Sequence, residues 1–76
     1  MKITGDRSTI WVEINGKIVK IEGELTTTPA FYAEANSIKN WEFPFENILI
    51  SSKEKEEIIQ KIEEYSKKTN VKIIFD

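Results

Sequence analysis

The residues of this chain with the spacing of a chemical site are Glu22 and Glu24, in the stretch IEGEL. In an extended strand this spacing puts both carboxylates on one face, as in a metal site or an acid–base pair. A metal site also needs further ligands and supporting hydrogen bonds, and the sequence offers no third ligand for this pair. We therefore interpret the two glutamates as charges on a solvated strand face.

The residue types on which most enzymes depend are absent. The 76 residues include no histidine and no cysteine, which removes the commonest general base, disulfides and thiolate metal sites. Thr26, Thr27 and Thr28 have no base to activate their hydroxyls. The three glycines do not form a phosphate-binding loop. We predict a protein that is not an enzyme and that binds no cofactor or metal.

Length and charge define the class of protein further. A chain of 76 residues forms one domain with a small core, so we expect a single domain over residues 1–76. No apolar run approaches the roughly 20 residues that cross a bilayer, and the stretch MKITGDRST lacks the apolar core of a signal peptide. The net charge of −2 argues against nucleic-acid binding. We expect a cytoplasmic protein with neither a membrane nor a nucleic-acid partner.

A β-hairpin is predicted by TIWVEINGKIVKIEGEL, where two β-rich runs flank Asn15 and Gly16. This pair suits a type I′ turn because both positions need positive φ, and a two-residue turn fixes the register. The expected cross-strand pairs are Val12 with Val19, Ile10 with Ile21, Trp11 with Lys20 and Glu13 with Ile18. The first two pairs form an aliphatic face, and the last two form a mixed face.

An amphipathic helix is predicted by SSKEKEEIIQKIEEYSKK. Ser51 followed by Glu54 fits a capping box, and Lys67 and Lys68 complement the dipole at the other end. Asn70 tolerates the left-handed conformation that ends many helices. The apolar stripe consists of Ile58, Ile59, Ile62 and Tyr65.

The remaining segments complete the predicted fold. FYAEA predicts a short third strand, and VKIIFD predicts a closing strand after the helix. A single amphipathic helix needs an apolar surface to cover, which the hairpin supplies. The result is an α+β fold of two layers: a mostly antiparallel sheet of four or five strands, covered by one helix in the C-terminal half and followed by a final short strand.

The aromatic segment WEFPF places three rings at alternate positions around Pro44. In an extended segment Trp41, Phe43 and Phe45 point the same way, and the proline disfavours helix for the residue before it. We interpret the rings as core residues that close one end of a small sandwich. Of the three rings, Trp41 at the edge of the loop is expected to be the most exposed, with an indole N–H that needs a partner.

Acidic residues are concentrated in the middle of the chain. Between Glu22 and Glu46, five glutamates and Lys39 give a charge of −4, which leaves +2 for the rest. An acidic surface speeds association with a basic partner and selects for it, whereas glutamates also serve simply to keep a sheet edge soluble. The candidate partner contacts are Glu34, Trp41, Glu42 and Glu46.

The mixed face of the hairpin offers a second candidate surface. Trp11 and Ile18 are diagonal neighbours there, and half-exposed residues of this kind are favoured in interfaces. A homodimer through this face, or through an edge strand, is one interpretation. The other is that Trp11 stacks with Lys20 as a cation–π pair on a solvated sheet.

The stretches FYAE, SIKNWEFP and ILISSKEKEEIIQKIEEYSKKTNVKIIF resemble the Imm74-type immunity protein family of bacterial polymorphic toxin systems. Proteins of that family are small α+β domains that share an aromatic strand, a Trp-x-x-Pro segment, a serine before the helix and a closing strand. Here the segment runs from Trp41 to Pro44, and the serine is Ser51. The likeness covers about the last 50 residues, and the N-terminal hairpin agrees in type.

The resemblance implies a non-enzymatic inhibitor that is encoded beside a toxin and protects the producing cell by binding it. The acidic segment favours a basic toxin. Two other classes stay open: a self-associating structural or regulatory domain, and a module that stacks a small ligand or nucleic-acid bases on its aromatics. The last class is disfavoured because only Lys39 accompanies the central rings.

Overall fold

The computed structural model describes residues 1–76 and consists of one five-stranded sheet with a single long helix on one face. The elements are β1 (Lys2–Gly5), β2 (Thr9–Ile14), β3 (Lys17–Thr26), β4 (Ala30–Ala33), a 3₁₀ turn (Ala35–Ser37), α1 (Ser52–Ser66) and β5 (Lys72–Phe75). The strands lie in chain order. Strands β1 to β4 pair antiparallel, and β5 pairs parallel with β4. The predicted α+β fold is confirmed.

The hairpin of β2 and β3 has the predicted turn and register. Asn15 and Gly16 have φ values of 52° and 79°, the positive values that a type I′ turn requires. All four predicted cross-strand pairs are present. One face of the hairpin is therefore continuously aliphatic, and it is the face on which the helix packs.

The core lies between this face and α1. Val12, Val19 and Ile21 on the hairpin are fully buried, and so is Ile62 on the helix. Strand β5 adds Ile73 from the far side of β4. A parallel strand pair needs a long crossover connection, which here consists of the 3₁₀ turn, the loop after it and α1. Helix and closing strand are thus held by the same core.

The helix begins as predicted and ends differently. The Glu54 N–H donates to Ser51 Oγ and the Ser51 N–H donates to Glu54 Oε1, both at 3.2 Å, so the capping box is complete. The helix stops at Ser66, before the two lysines, so no basic residue lies in its last turn. Asn70 does not have positive φ, and the predicted left-handed cap is wrong. Instead the Thr69 hydroxyl donates to the carbonyl of Ser66 at 3.0 Å.

The helix stripe also differs from the prediction by one residue, in the last turn. Ile58 and Ile62 are buried as predicted, but Tyr65 is half exposed and Ser66 is the buried residue at this end. The Ser66 hydroxyl donates to the carbonyl of Glu63 at 3.0 Å, which allows a polar side chain at this position. No helix of the structure has the length and apolar character needed to cross a membrane.

Candidate partner-binding surface

The chain after β4 continues along the edge of β3 that β4 leaves open. The Glu34 N–H donates to the carbonyl of Glu22 at 2.8 Å, and the Ser37 hydroxyl accepts from the Glu22 N–H at 3.0 Å. Further along, the Glu42 N–H donates to the carbonyl of Ile18 at 2.7 Å. Two of the predicted contact residues, Glu34 and Glu42, are therefore carried at separate points along one strand edge.

Glu34 lies in an acidic concavity of about 630 Å³ on the outer side of the sheet. Glu24 and Asp76 line the same concavity, with Arg7 as the one basic residue. Tyr32, which is half exposed, adds an aromatic ring to it. Negative charge around a partly exposed aromatic residue is a composition suited to a basic protein partner.

Glu42 lies in a different depression, of about 270 Å³, where the charges balance. Glu42 and Glu22 line it together with Lys20 and Lys39. Glu46 lines neither depression, and its carbonyl accepts a hydrogen bond from Asn40 Nδ2 at 3.2 Å. The structure thus distributes the predicted glutamates over several places rather than joining them in one patch.

Trp41 is buried, as the core interpretation of the rings predicts, and the most exposed of the three rings is Phe43 rather than Trp41. It forms an antiparallel bridge with Val19 and keeps 5% of its surface accessible. The Lys17 ammonium lies 5.6 Å from the centre of its ring and 5.5 Å from that of Phe45, within cation–π distance of both. The buried indole N–H has no hydrogen-bond partner in the chain. Trp41 therefore supports the surface from beneath.

Phe43 is the other correction in this segment, because it is 82% exposed instead of buried. The Phe45 N–H donates to the carbonyl of Glu42 at 2.9 Å, which closes a turn over residues 42–45. The turn reverses the chain and removes the alternation that would have placed all three rings on one side. Trp41 and Phe45 consequently pack on the core, while Phe43 projects from the turn.

The loop of residues 41–50, which we call the aromatic loop, is closed by backbone hydrogen bonds at several levels. Asn40 and Leu49 form an antiparallel bridge, and the Ile50 N–H donates to the carbonyl of Lys39 at 2.9 Å. Within the loop, the Ile48 N–H donates to the carbonyl of Phe45 at 2.9 Å. Leu49 is 72% exposed, so the loop displays an aliphatic side chain besides Phe43.

The remaining predicted features lie apart from this loop. Trp11 and Ile18 border a shallow depression of about 170 Å³ on the outer face of the hairpin. The solvated-sheet interpretation expected a cation–π pair between Trp11 and Lys20, and the structure does not form it: the cation–π contacts are those of Lys17 with Trp41 and Phe45. The structure contains no cluster of three or more acidic residues arranged to hold a metal ion.

From the sequence, Phe43 is predicted to lie in the core and Leu49 carries no prediction, yet both are surface residues. The one local signal for Phe43 was Pro44 directly after it, since a proline between two aromatics also suits a turn. No local signal distinguished Leu49 from the neighbouring isoleucines, and its bridge partner Asn40 lies outside its immediate sequence neighbourhood.

A small α+β domain with an acidic concavity and a projecting aromatic loop has the features of a protein that binds another protein. The comparison with known families agrees with this class. The chain belongs to the family Immunity protein 74 (Imm74), whose family model matches residues 2–76. The match extends the resemblance of the C-terminal part to the N-terminal hairpin as well. No curated protein and no solved structure matches the chain.

Proposed function

We propose that this protein is a non-enzymatic immunity protein that binds a cognate bacterial toxin in the cytoplasm of the producing cell and thereby neutralises it. The observation that carries this proposal is the match of residues 2–76 to the immunity protein family. The surface supports it, because exposed apolar side chains near glutamates suit a protein partner.

Glu34, Glu42 and Glu46 are the proposed acidic contacts, and Trp41 acts by holding the aromatic loop on the sheet. The segment from Glu22 to Glu46 has a charge of −4, which favours a basic toxin surface. Neutralisation needs a long-lived complex, so we expect a dissociation constant of about 1 nM or below, equivalent to about −12 kcal/mol.

Co-expression tests this function directly. The toxin domain encoded beside the gene is expressed in a sensitive host with and without this protein, and survival is counted. We expect the protein to restore growth and to form a 1:1 complex with the purified toxin domain. Ile62→Asp, which places a charge at a fully buried position, is the control that removes the fold. Death of the host at equal expression of both proteins would contradict the proposal.

A second candidate function is self-association, favoured by one observation. Ile18 is partly exposed beside Trp11, and the depression they border is open to solvent. A dimer through this face would give a concentration-dependent mass in sedimentation, and Trp11→Glu would abolish it. A strictly monomeric protein at high concentration would exclude this candidate.

A further inference from the structure

We propose that the aromatic loop is the anchor of the toxin interface, and that Phe43 inserts into an apolar pocket on a basic surface of the toxin. This inference rests on the proposed function and adds to it the point of contact. It also moves the centre of recognition away from the acidic concavity around Glu34.

The first argument is exposure. Phe43 and Leu49 are 82% and 72% exposed, whereas the other exposed large hydrophobic residues of the chain lie between 37% and 48%. Both belong to the same ten-residue loop, so the two most exposed large hydrophobic residues are concentrated in one segment. Aromatic residues bury large areas at interfaces and are enriched among the side chains that dominate binding. In the acidic concavity, by contrast, Tyr32 is only 38% exposed.

The second argument is that the loop is already shaped for binding. Its base is fixed by the hydrogen bond from Glu42 to Ile18 and by the bridge between Asn40 and Leu49. Trp41, on one side of Phe43, is buried in the core. A side chain presented by a fixed backbone loses less conformational entropy on binding than one on a mobile loop, so more of its burial appears as affinity.

The third argument is charge, which selects the class of partner. The loop contains Glu42 and Glu46 and no lysine or arginine. Three lysines are adjacent to the loop without belonging to it. Lys20 and Lys39 line the depression beside Glu42, and the Lys17 ammonium lies over the Trp41 and Phe45 rings. An apolar tip on a segment whose own two charged residues are both glutamates matches a toxin surface in which basic residues surround an apolar pocket.

The test uses the full chain and the purified toxin domain encoded beside its gene, with an inactivating substitution in the toxin. Calorimetry and stopped-flow mixing give the dissociation constant and the dissociation rate of wild type, Phe43→Ala, Phe43→Leu and Leu49→Ala. The matched control is Tyr65→Ala, which removes a half-exposed aromatic ring from the other end of α1. Residue 65 lies 13 residues after Ser52, about 20 Å along the helix axis.

We expect Phe43→Ala to weaken binding at least about 30-fold, the change that defines a dominant interface residue, mainly through faster dissociation. Phe43→Leu should recover part of the loss, Leu49→Ala should weaken binding about 3- to 10-fold, and Tyr65→Ala should stay within about threefold of wild type. The melting temperature of each variant is compared with that of the wild type, which shows whether weaker binding results from loss of folding.

The results that would contradict these expectations distinguish the anchor role of Phe43 from the proposed immunity function. If the wild type binds the toxin and both Phe43→Ala and Phe43→Leu bind it as tightly as the wild type does, Phe43 is not the anchor of the interface. The proposed immunity function is then unaffected. A wild type that is folded and does not bind overturns the proposed function, and the anchor with it. An equal loss for Phe43→Ala and Tyr65→Ala also overturns the anchor, because the loss would then not depend on the loop.

Discussion

The Glu42 N–H and the Ile18 carbonyl are joined by a hydrogen bond of 2.7 Å, which attaches the aromatic loop to the beginning of β3. The bridge between Trp41 and Val19 lies directly beside it. Ile18 and Val19 also pair with β2 on their other side, so the loop extends the sheet where β4 has already ended. The most exposed aromatic residue of the protein is therefore one residue away from a regular β pairing.

Truncation of Trp41 measures how much the loop depends on its buried ring. We expect Trp41→Ala to lower the free energy of unfolding by about 3–5 kcal/mol, because it leaves a cavity between hairpin and helix. Trp41→Phe should lose clearly less, since it keeps a buried aromatic ring beside Lys17. Urea unfolding followed by circular dichroism gives both values.

The control for this measurement is Phe43→Ala, which deletes an aromatic ring that is exposed to solvent. Its free energy of unfolding should stay within about 0.5 kcal/mol of wild type. Equal destabilisation by Trp41→Ala and Phe43→Ala would show that the two rings do not differ in burial as described.

The capping box predicts a stability effect at the other end of the crossover. Ser51→Ala removes the acceptor for the Glu54 N–H and should lower the free energy of unfolding by about 1 kcal/mol. Glu54→Ala removes the reciprocal bond, and because the two residues form one unit, the losses should not add in the double variant. Additive losses in a double-mutant cycle would mean that the two hydrogen bonds act independently.

Asp6 predicts a pH dependence located in the turn between β1 and β2. Its Oδ1 accepts hydrogen bonds from the N–H groups of Ser8 and Thr9, both at 3.0 Å, and the bond from Ser8 is the main cause that lowers the pKa of Asp6 below its usual value of 3.8. A lowered pKa in the folded state stabilises the protein above pH 3.8, and this contribution is lost as the pH falls through the lowered value.

The matched variant is Asp6→Asn, which keeps a side-chain oxygen as acceptor and removes the charge. We expect the difference in unfolding free energy between wild type and Asp6→Asn to be larger at about pH 5 than at about pH 2. Urea titrations at both pH values measure it. A difference that stays constant would mean that Asp6 ionisation is not coupled to folding.

Charge reversal in the aromatic loop tests the proposed electrostatic contribution to toxin binding. Glu42→Lys with Glu46→Lys should slow association with the toxin domain about 10-fold at low salt and weaken its dependence on ionic strength. Stopped-flow fluorescence measures the association rate. Glu63→Lys with Glu64→Lys makes the same change of charge on α1 and serves as the control. Equal rates for the loop variant and wild type would remove the acidic loop from the encounter step.

Local sequence signals predicted the parts of the fold that are determined locally. Asn15 and Gly16 set a two-residue turn, and a two-residue turn leaves only one register for the residues on either side. Ser51 and Glu54 are three residues apart and satisfy each other's backbone donors without help from the rest of the chain. Because these interactions depend on neighbours in sequence, the sequence was sufficient to predict them.

The aromatic loop could not be predicted in this way, because its path depends on residues far away in sequence. Trp41 and Glu42 pair with Val19 and Ile18, which lie more than twenty positions earlier. Once this pairing holds one end, the turn that follows directs Phe43 outward. Periodicity alone could not show that the alternation stops at Glu42. The same holds for the glutamates that were predicted to form one acidic surface. Because the chain runs along β3, Glu34 and Glu42 lie in different depressions.

The closure of the aromatic loop by backbone groups has an evolutionary consequence. Backbone hydrogen bonds do not depend on the identity of a projecting side chain, so substitutions at Phe43 or Leu49 leave the closure of the loop intact. If these positions contact the partner as proposed, mutations there change the choice of partner without first lowering the stability of the fold. A protein whose partner changes during evolution could therefore acquire new side chains at the end of this loop, one substitution at a time, while the loop backbone stays the same.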